Sequence, residues 1–201
     1  MFGSSIERVR LQGAIHLPTF EDVQNVRRQL LEVSRQYWTS HTVFTWQWWL
    51  LIALSLLPWF IWWKFVDKKR VIELSLYGAM IAMISVLLDT IGTNAMFWGY
   101  PRQPLWFIYF LWPADFSILP VGHMLVYQYF SKWKTFILAE IAFAVVASFL
   151  IEPLFSWSGM YILYSWKYIY STPLYVLKAI IARLVVQRLL QVQRDLGRKG
   201  A

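Results

Sequence analysis

The sequence predicts an all-α protein: a five-span transmembrane helix bundle preceded by an N-terminal amphipathic helix. Three observations carry this expectation. The chain has 201 residues, 58% apolar, 19% aromatic and only 15% charged, a balance that soluble domains of this length rarely show. Its apolar runs each approach the ~20 residues that cross a hydrocarbon core of about 30 Å. Its Trp residues gather at the ends of such runs, where the interfacial aromatic belts of membrane helices lie.

The elements follow in order. Residues 1–43 form an N-terminal region, of which 1–18 read as an irregular tail. Thr19 starts a helix, because Thr19 and Asp22 compose a capping box and Glu21 adds negative charge at the positive helix end. Val23, Val26, Leu30, Val33 and Tyr37 recur at helical spacing over about 19–38, with Arg27, Arg28 and Glu32 elsewhere around the wheel. Such a helix either lies on the membrane surface or packs on the bundle. Spans are expected at about 44–65, 71–94, 105–130, 135–154 and 172–192, followed by a basic tail at 193–201. The first is framed by Trp46, Trp48 and Trp49 at its start and by Trp59, Trp62 and Trp63 at its end. The connection 95–104 carries Trp98, Tyr100, Pro101 and Pro104. The connection 155–171, rich in Trp, Tyr and Ser, is expected at the interface.

The net charge of +8 comes from Lys and Arg that flank apolar runs and form no single stripe. That pattern points to membrane lipids as partners, through attraction to anionic headgroups, and away from nucleic acid. With no Cys in the chain, disulfides, thiolate metal sites and thiol catalysis are excluded. The first forty residues hold no apolar stretch of signal-peptide type. No metal or cofactor motif is present. Ten basic residues (Lys64, Lys68, Lys69, Arg70, Lys132, Lys134, Arg188, Arg194, Arg198 and Lys199) fall on one side of the expected spans, against five (Arg27, Arg28, Arg35, Arg102 and Lys167) on the other. The positive-inside rule then places the N-terminus outside and the C-terminus in the cytoplasm of a cell membrane.

Seven ionisable residues lie within these apolar segments: Asp89, Asp115, His123, Glu140, Glu152, Lys178 and Arg183. An ionisable group at the bilayer centre costs about 2.5–3.5 kcal/mol on insertion scales, so each needs a partner, water or a task. Counted along the expected spans, Asp89, Asp115, Glu152 and Lys178 converge on the outer half of the bilayer. Three carboxyls and one ammonium cannot all pair, which marks a candidate site. Asp89 and Asp115 are the candidate catalytic acid/base groups or headgroup ligands. Glu152, Lys178, Asn94, Trp98 and Tyr100 are the candidate substrate-binding residues, with Trp112 shaping the apolar wall. Pro113 and Pro120 bracket Asp115 and each removes a backbone hydrogen bond, as loosened backbone beside a cavity does. Glu140 and Arg183 are expected to form a structural ion pair. His123, two turns beyond Asp115 and about 80° round an ideal helix, has no assigned role.

Several runs, taken in order, carry a resemblance. They are Trp62-Trp63-Lys64-Phe65-Val66-Asp67-Lys68-Lys69-Arg70, Leu88-Asp89 with Gly92, Trp98-Gly99-Tyr100-Pro101, Pro113-Ala114-Asp115, Tyr127-Gln128-Tyr129-Phe130 and Glu152-Pro153. Over about residues 46–187 the set resembles a family of small multi-pass membrane proteins of endospore-forming Firmicutes. The resemblance implies a bacterial plasma-membrane setting and no particular chemistry. A weaker similarity of pattern, through Asp89, Trp98, Tyr100, Pro113 and Asp115, is to the lycopene cyclase domain. The chain departs from that pattern where the paired acids after the proline are reduced to Ala114-Asp115.

Three functions fit these expectations. The leading one is a membrane-embedded site that binds or transforms a lipid-like molecule. The second is a proton- or cation-coupled transporter or channel component. The third is a non-catalytic membrane assembly or partner protein, as a homo-oligomer or beside another membrane protein.

Overall fold

A computed structural model describes residues 17–199; all but the last two residues of the expected tail over 1–18 lie outside them. Among the described residues the chain is mostly helical, with six helices. They are α1 (Phe20–His41), α2 (Trp46–Phe65), α3 (Val71–Asn94), α4 (Leu119–Tyr129), α5 (Trp133–Trp157) and α6 (Tyr168–Lys199). Two short strands, β1 (Trp98–Gly99) and β2 (Ile162–Leu163), pair antiparallel with Trp98 opposite Leu163 and Gly99 opposite Ile162.

Four helical segments are long and apolar enough to cross a membrane: Trp46–Phe65, Lys68–Asn94, Trp133–Trp157 and Tyr168–Gly197. Helix α1 opens with the Thr19–Asp22 capping box, in which each side chain takes the other residue's backbone N–H. Its apolar residues stay exposed, Phe20, Val23 and Val26 among them. It is tied to the connection after α3 near its C-terminal end, where Trp38 Nε1 donates to the Gln103 carbonyl at 3.0 Å.

The expected span at 105–130 needs correction. Residues 105–111 are not helical; helical backbone starts at Trp112. Pro101 and Pro104 withhold amide donors and bias the residues before them away from the helical region. Side chains meet the needs of this stretch instead: Trp48 Nε1 donates to the Pro104 carbonyl at 3.0 Å, and the Leu111 N–H is taken by Asp89. At the other end of the chain, the segment expected as a basic tail is helical to Lys199. Gln, Arg and Leu there are good helix formers, and no proline interrupts them.

Two π turns interrupt the helices, and a proline stands just beyond each. One, Ala114–Ile118, leads into α4 ahead of Pro120; the other, Ala147–Ile151, lies within α5 ahead of Pro153. Pro120 has no N–H for the Phe116 carbonyl, and Trp59 Nε1 of α2 donates to that carbonyl at 3.0 Å. A side chain of one helix thus completes the backbone of another.

The core lies where α3, α4 and α6 meet, around Leu74, Tyr77, Ile81, Met124, Tyr127, Ala179 and Val186. Close approach of α3 to α4 needs Gly78, where a Cβ would stand 2.5 Å from Met124 Sδ. Small residues at such crossings let membrane helices pack by van der Waals contact, the driving force available in lipid.

Candidate functional site

Asp89 is buried on the inner face of α3, and three donors converge on it. Trp98 Nε1 and Tyr100 Oη each donate to its Oδ1 at 2.6 Å, and the Leu111 backbone N–H donates to Oδ2 at 2.8 Å. The two carboxyl oxygens together offer enough lone pairs to accept from all three donors. The short ribbon carries two of these donors, Trp98 in β1 and Tyr100 next to it. Trp166 packs edge-on against Trp98 with ring centroids 5.0 Å apart, and Tyr161 stacks on Tyr100 at 5.5 Å. Gly92, one turn beyond Asp89, leaves the space that the Trp98 ring fills; a Cβ there would meet the ring at 2.0 Å.

Asp115 projects from the π turn ahead of α4, buried and within hydrogen-bonding reach of Asp89. Its Oδ2 has no hydrogen-bond partner among the described residues. Glu152, at the end of the second π turn, accepts from Tyr175 Oη at 2.8 Å and from Ser171 Oγ at 3.2 Å. Trp166 Nε1 donates to that same serine at 3.0 Å. Lys178 is 3% exposed. Its ammonium donates to Ser85 Oγ at 2.9 Å and stands 4.5 Å from the Tyr175 ring centroid. Among the described residues it forms no ion pair with a carboxylate.

These groups line one cavity of about 170 Å³, walled by apolar side chains including Leu88, Phe143, Val146, Ile151, Phe155 and Leu174. The charge of Lys178 acts on Asp115, Glu140, Asp89 and Glu152. In the connections, burial pushes the phenols of Tyr100 and Tyr161 well above their ordinary value, and Asp89 and Glu152 respectively add to it. Both phenols are therefore donors at any physiological pH.

The structure brings together Asp89, Asp115, Glu152, Lys178, Trp98 and Tyr100. It does not bring Asn94, which is exposed and donates to the Thr90 carbonyl one turn back, at 2.7 Å. Trp112 is also outside the lining; it packs on Phe110 and Phe116. The expected Glu140–Arg183 ion pair does not form. Glu140 Oε2 is 2.7 Å from His123 Nδ1. Arg183 donates instead to the carbonyls of Phe130 and Ser131 just past α4 and stacks against Trp133 and Phe136. Free carbonyls at a helix C-terminus attract a cation, and a planar guanidinium also gains from aromatic faces.

Sequence reasoning missed Ser85, Tyr161, Ser171 and Tyr175, all on the cavity wall. A signal existed for two of them: Ser85 is one turn before Asp89 and Tyr175 nearly one turn before Lys178, on shared helix faces. No family model, curated protein or solved structure matches the chain, so its own residues carry the functional reading.

One prediction arises from the Gly92–Trp98 contact. Gly92→Ala is expected to destabilise the fold by about 1–3 kcal/mol, because the ring must move from a filled position. The double variant Gly92→Ala/Trp98→Ala is expected to cost no more than Trp98→Ala alone, since the clash has gone. Unfolding of the four proteins in one detergent measures both; additive costs would show that the ring does not depend on the glycine.

Proposed function

We propose that this chain is a multi-pass protein of the bacterial plasma membrane whose cavity binds or transforms a lipid-like molecule in the outer half of the bilayer. One observation carries the reading: an apolar-walled cavity holds Asp89, Asp115, Glu152 and a Lys178 ammonium bonded to a serine and not to an acid. Ligand sites in general combine an apolar wall with a few convergent polar groups. A buried ammonium with no carboxylate bonded to it is costly, and an anionic ligand group in direct contact lowers that cost.

Five crossings, α2, α3, α4 with its π turn, α5 and α6, give the topology with the N-terminus outside. In support, the connection into α4 meets Asp89 at one end of the bundle. At the other end, Gln128 donates to the Phe65 carbonyl and accepts from the Asp67 N–H at the end of α2. The roles divide by hydrogen bonding. Asp89, held in place by three donors, shapes the wall. Asp115, with one oxygen bare, is the group free to exchange a proton with a ligand. Lys178 holds an anionic headgroup, and Glu152, Trp98 and Tyr100 position the remainder.

The test is lipid retention. Wild-type protein taken from membranes in mild detergent is expected to release bound lipid in native mass spectra, and Lys178→Met to release several-fold less of it. Wild type that carries no lipid, or Lys178→Met that carries as much, would sink the reading.

A further inference from the structure

Helices α3, α4 with its π turn, α5 and α6 surround the cavity, and three of its four sides are closed by polar bonds. Lys178 of α6 donates to Ser85 of α3 at 2.9 Å. Glu152 of α5 accepts from Tyr175 and Ser171 of α6 at 2.8 and 3.2 Å. The Leu111 N–H, just ahead of the π turn that leads into α4, donates to Asp89 of α3 at 2.8 Å. Toward the connections, the packed rings of Trp98 with Trp166 and of Tyr100 with Tyr161 cap the end of the cavity.

The fourth side lies between α4 and α5. Toward their connecting turn the two helices are joined, with His123 Nδ1 and Glu140 Oε2 2.7 Å apart. Nearly one turn further along α5, the Phe143 ring fills the space over Gly122, where a Cβ would meet it at 2.5 Å. Beyond that contact the π turns have separate partners: Ala114–Ile118 packs against α2 and α3, and Ala147–Ile151 against α6. Among the described residues no hydrogen bond joins 114–119 to 146–157. The cavity reaches into this gap, with Ile118 and Leu119 on one lip and Val146 and Ile151 on the other. Val146 and Ile151 line the cavity and are also 49% and 37% exposed, so they stand on a rim. Beside them Val145, Phe149 and Leu150 are exposed and apolar, within a segment long and apolar enough to cross a membrane.

A gap of this kind costs little in a bilayer. Lipid tails are as apolar as Leu, so a chain fills the space between helices without exposing apolar surface to water. Size then decides how a lipid sits. The cavity measures about 170 Å³, close to the ~150 Å³ that houses one benzene ring. It takes a headgroup or a chain end, and not a molecule with full acyl chains. The remainder must leave through the unbonded side.

We propose that the cavity opens sideways into the hydrocarbon between α4 and α5. Its ligand is a lipid with an anionic head and a flexible chain, the head on Lys178 and the chain passing out between the two π turns. The Lys178–Ser85 bond closes the side opposite this mouth, so the anion site and the chain exit stand at opposite ends of the cavity. Entry is from the membrane and not through the aromatic cap. The inference rests on the lipid reading above and adds the class of lipid and its path.

Purified full chain loaded with phosphatidylglycerol in mild detergent, and weighed by native mass spectrometry, tests the mouth. Val146→Trp places a large ring on the rim and is expected to hold several-fold less of this lipid than wild type. Val146→Ala, which clears the rim, is expected to hold as much as wild type. So is Leu138→Trp, on an exposed position of α5 outside the cavity. Val146→Trp at the wild-type amount overturns the mouth, as does an equal loss in Leu138→Trp. If Val146→Trp does not fold, Ile151→Trp on the same rim decides by the same criteria. The two readings fail in different ways. Wild type that binds no lipid overturns the lipid reading itself, whereas loss in Lys178→Met without loss in Val146→Trp overturns the mouth alone. Loss in Val146→Trp without loss in Lys178→Met overturns the placement of the head on Lys178.

Discussion

Asp89→Asn lowers the free energy of unfolding by about 2–4 kcal/mol, and Asp89→Ala lowers it further, as expected when buried donors lose their acceptor. The argument is geometric. Oδ1 accepts from Trp98 and Tyr100, while Oδ2 accepts from the Leu111 N–H. Asparagine offers one oxygen and one NH₂ group. If its oxygen serves the two rings, the NH₂ faces the Leu111 N–H, donor against donor. If the amide flips, both rings lose their acceptor. Alanine strands all three donors and also removes the residue that pins the start of the 100–111 connection. Denaturant or thermal unfolding in detergent reads these costs. An Asp89→Asn protein as stable as wild type would mean that the three donors are met some other way.

The second large effect belongs to the central pair. Glu140→Leu alone is expected to cost about 3–5 kcal/mol, because removing one partner leaves a buried polar group uncompensated. Here that group is His123, with Tyr77 Oη also losing its contact with the acid. The double variant Glu140→Leu/His123→Phe is expected to recover most of the loss, since two apolar side chains of similar volume can replace a buried pair at little cost. Near-additive costs in this cycle would show that the two residues are not partners. The cycle measures stability only.

How much of this was legible in the sequence differs from residue to residue. The stretch expected to span at 71–94 is α3, Val71–Asn94. A run of apolar residues there is bounded by the Lys68–Arg70 cluster at one end and polar Thr93 and Asn94 at the other, so composition alone marks its ends. Residues 105–111 are just as apolar, but hydropathy cannot distinguish a helix from a connection whose carbonyls and amides are met by distant Trp and Asp side chains. The convergence of Asp89, Asp115, Glu152 and Lys178 was legible because depth follows from residue count at fixed rise. Their partners were not, since partners depend on how each helix is rotated. Residue count alone lets Glu140 and Arg183 share a depth, whereas the rotation of α6 turns Arg183 to the carbonyls after α4. His123 shows the same limit. Its offset from Asp115 was counted on an ideal helix, whereas the π turn at Ala114–Ile118 winds more residues per turn and brings the two closer to one face.

Each π turn holds one residue more than an α-helical turn would take. In a gene, that difference is the length of a single codon. Deleting one residue from Ala114–Ile118 would restore regular winding and rotate the π-turn residues on one side by about 100° relative to the helix on the other. Asp115 and His123 would then face different neighbours, although no chemical group had changed. The same holds between Glu152 and Glu140 across Ala147–Ile151. A one-residue change in chain length at these two places therefore separates buried polar groups that ordinary substitutions leave in register.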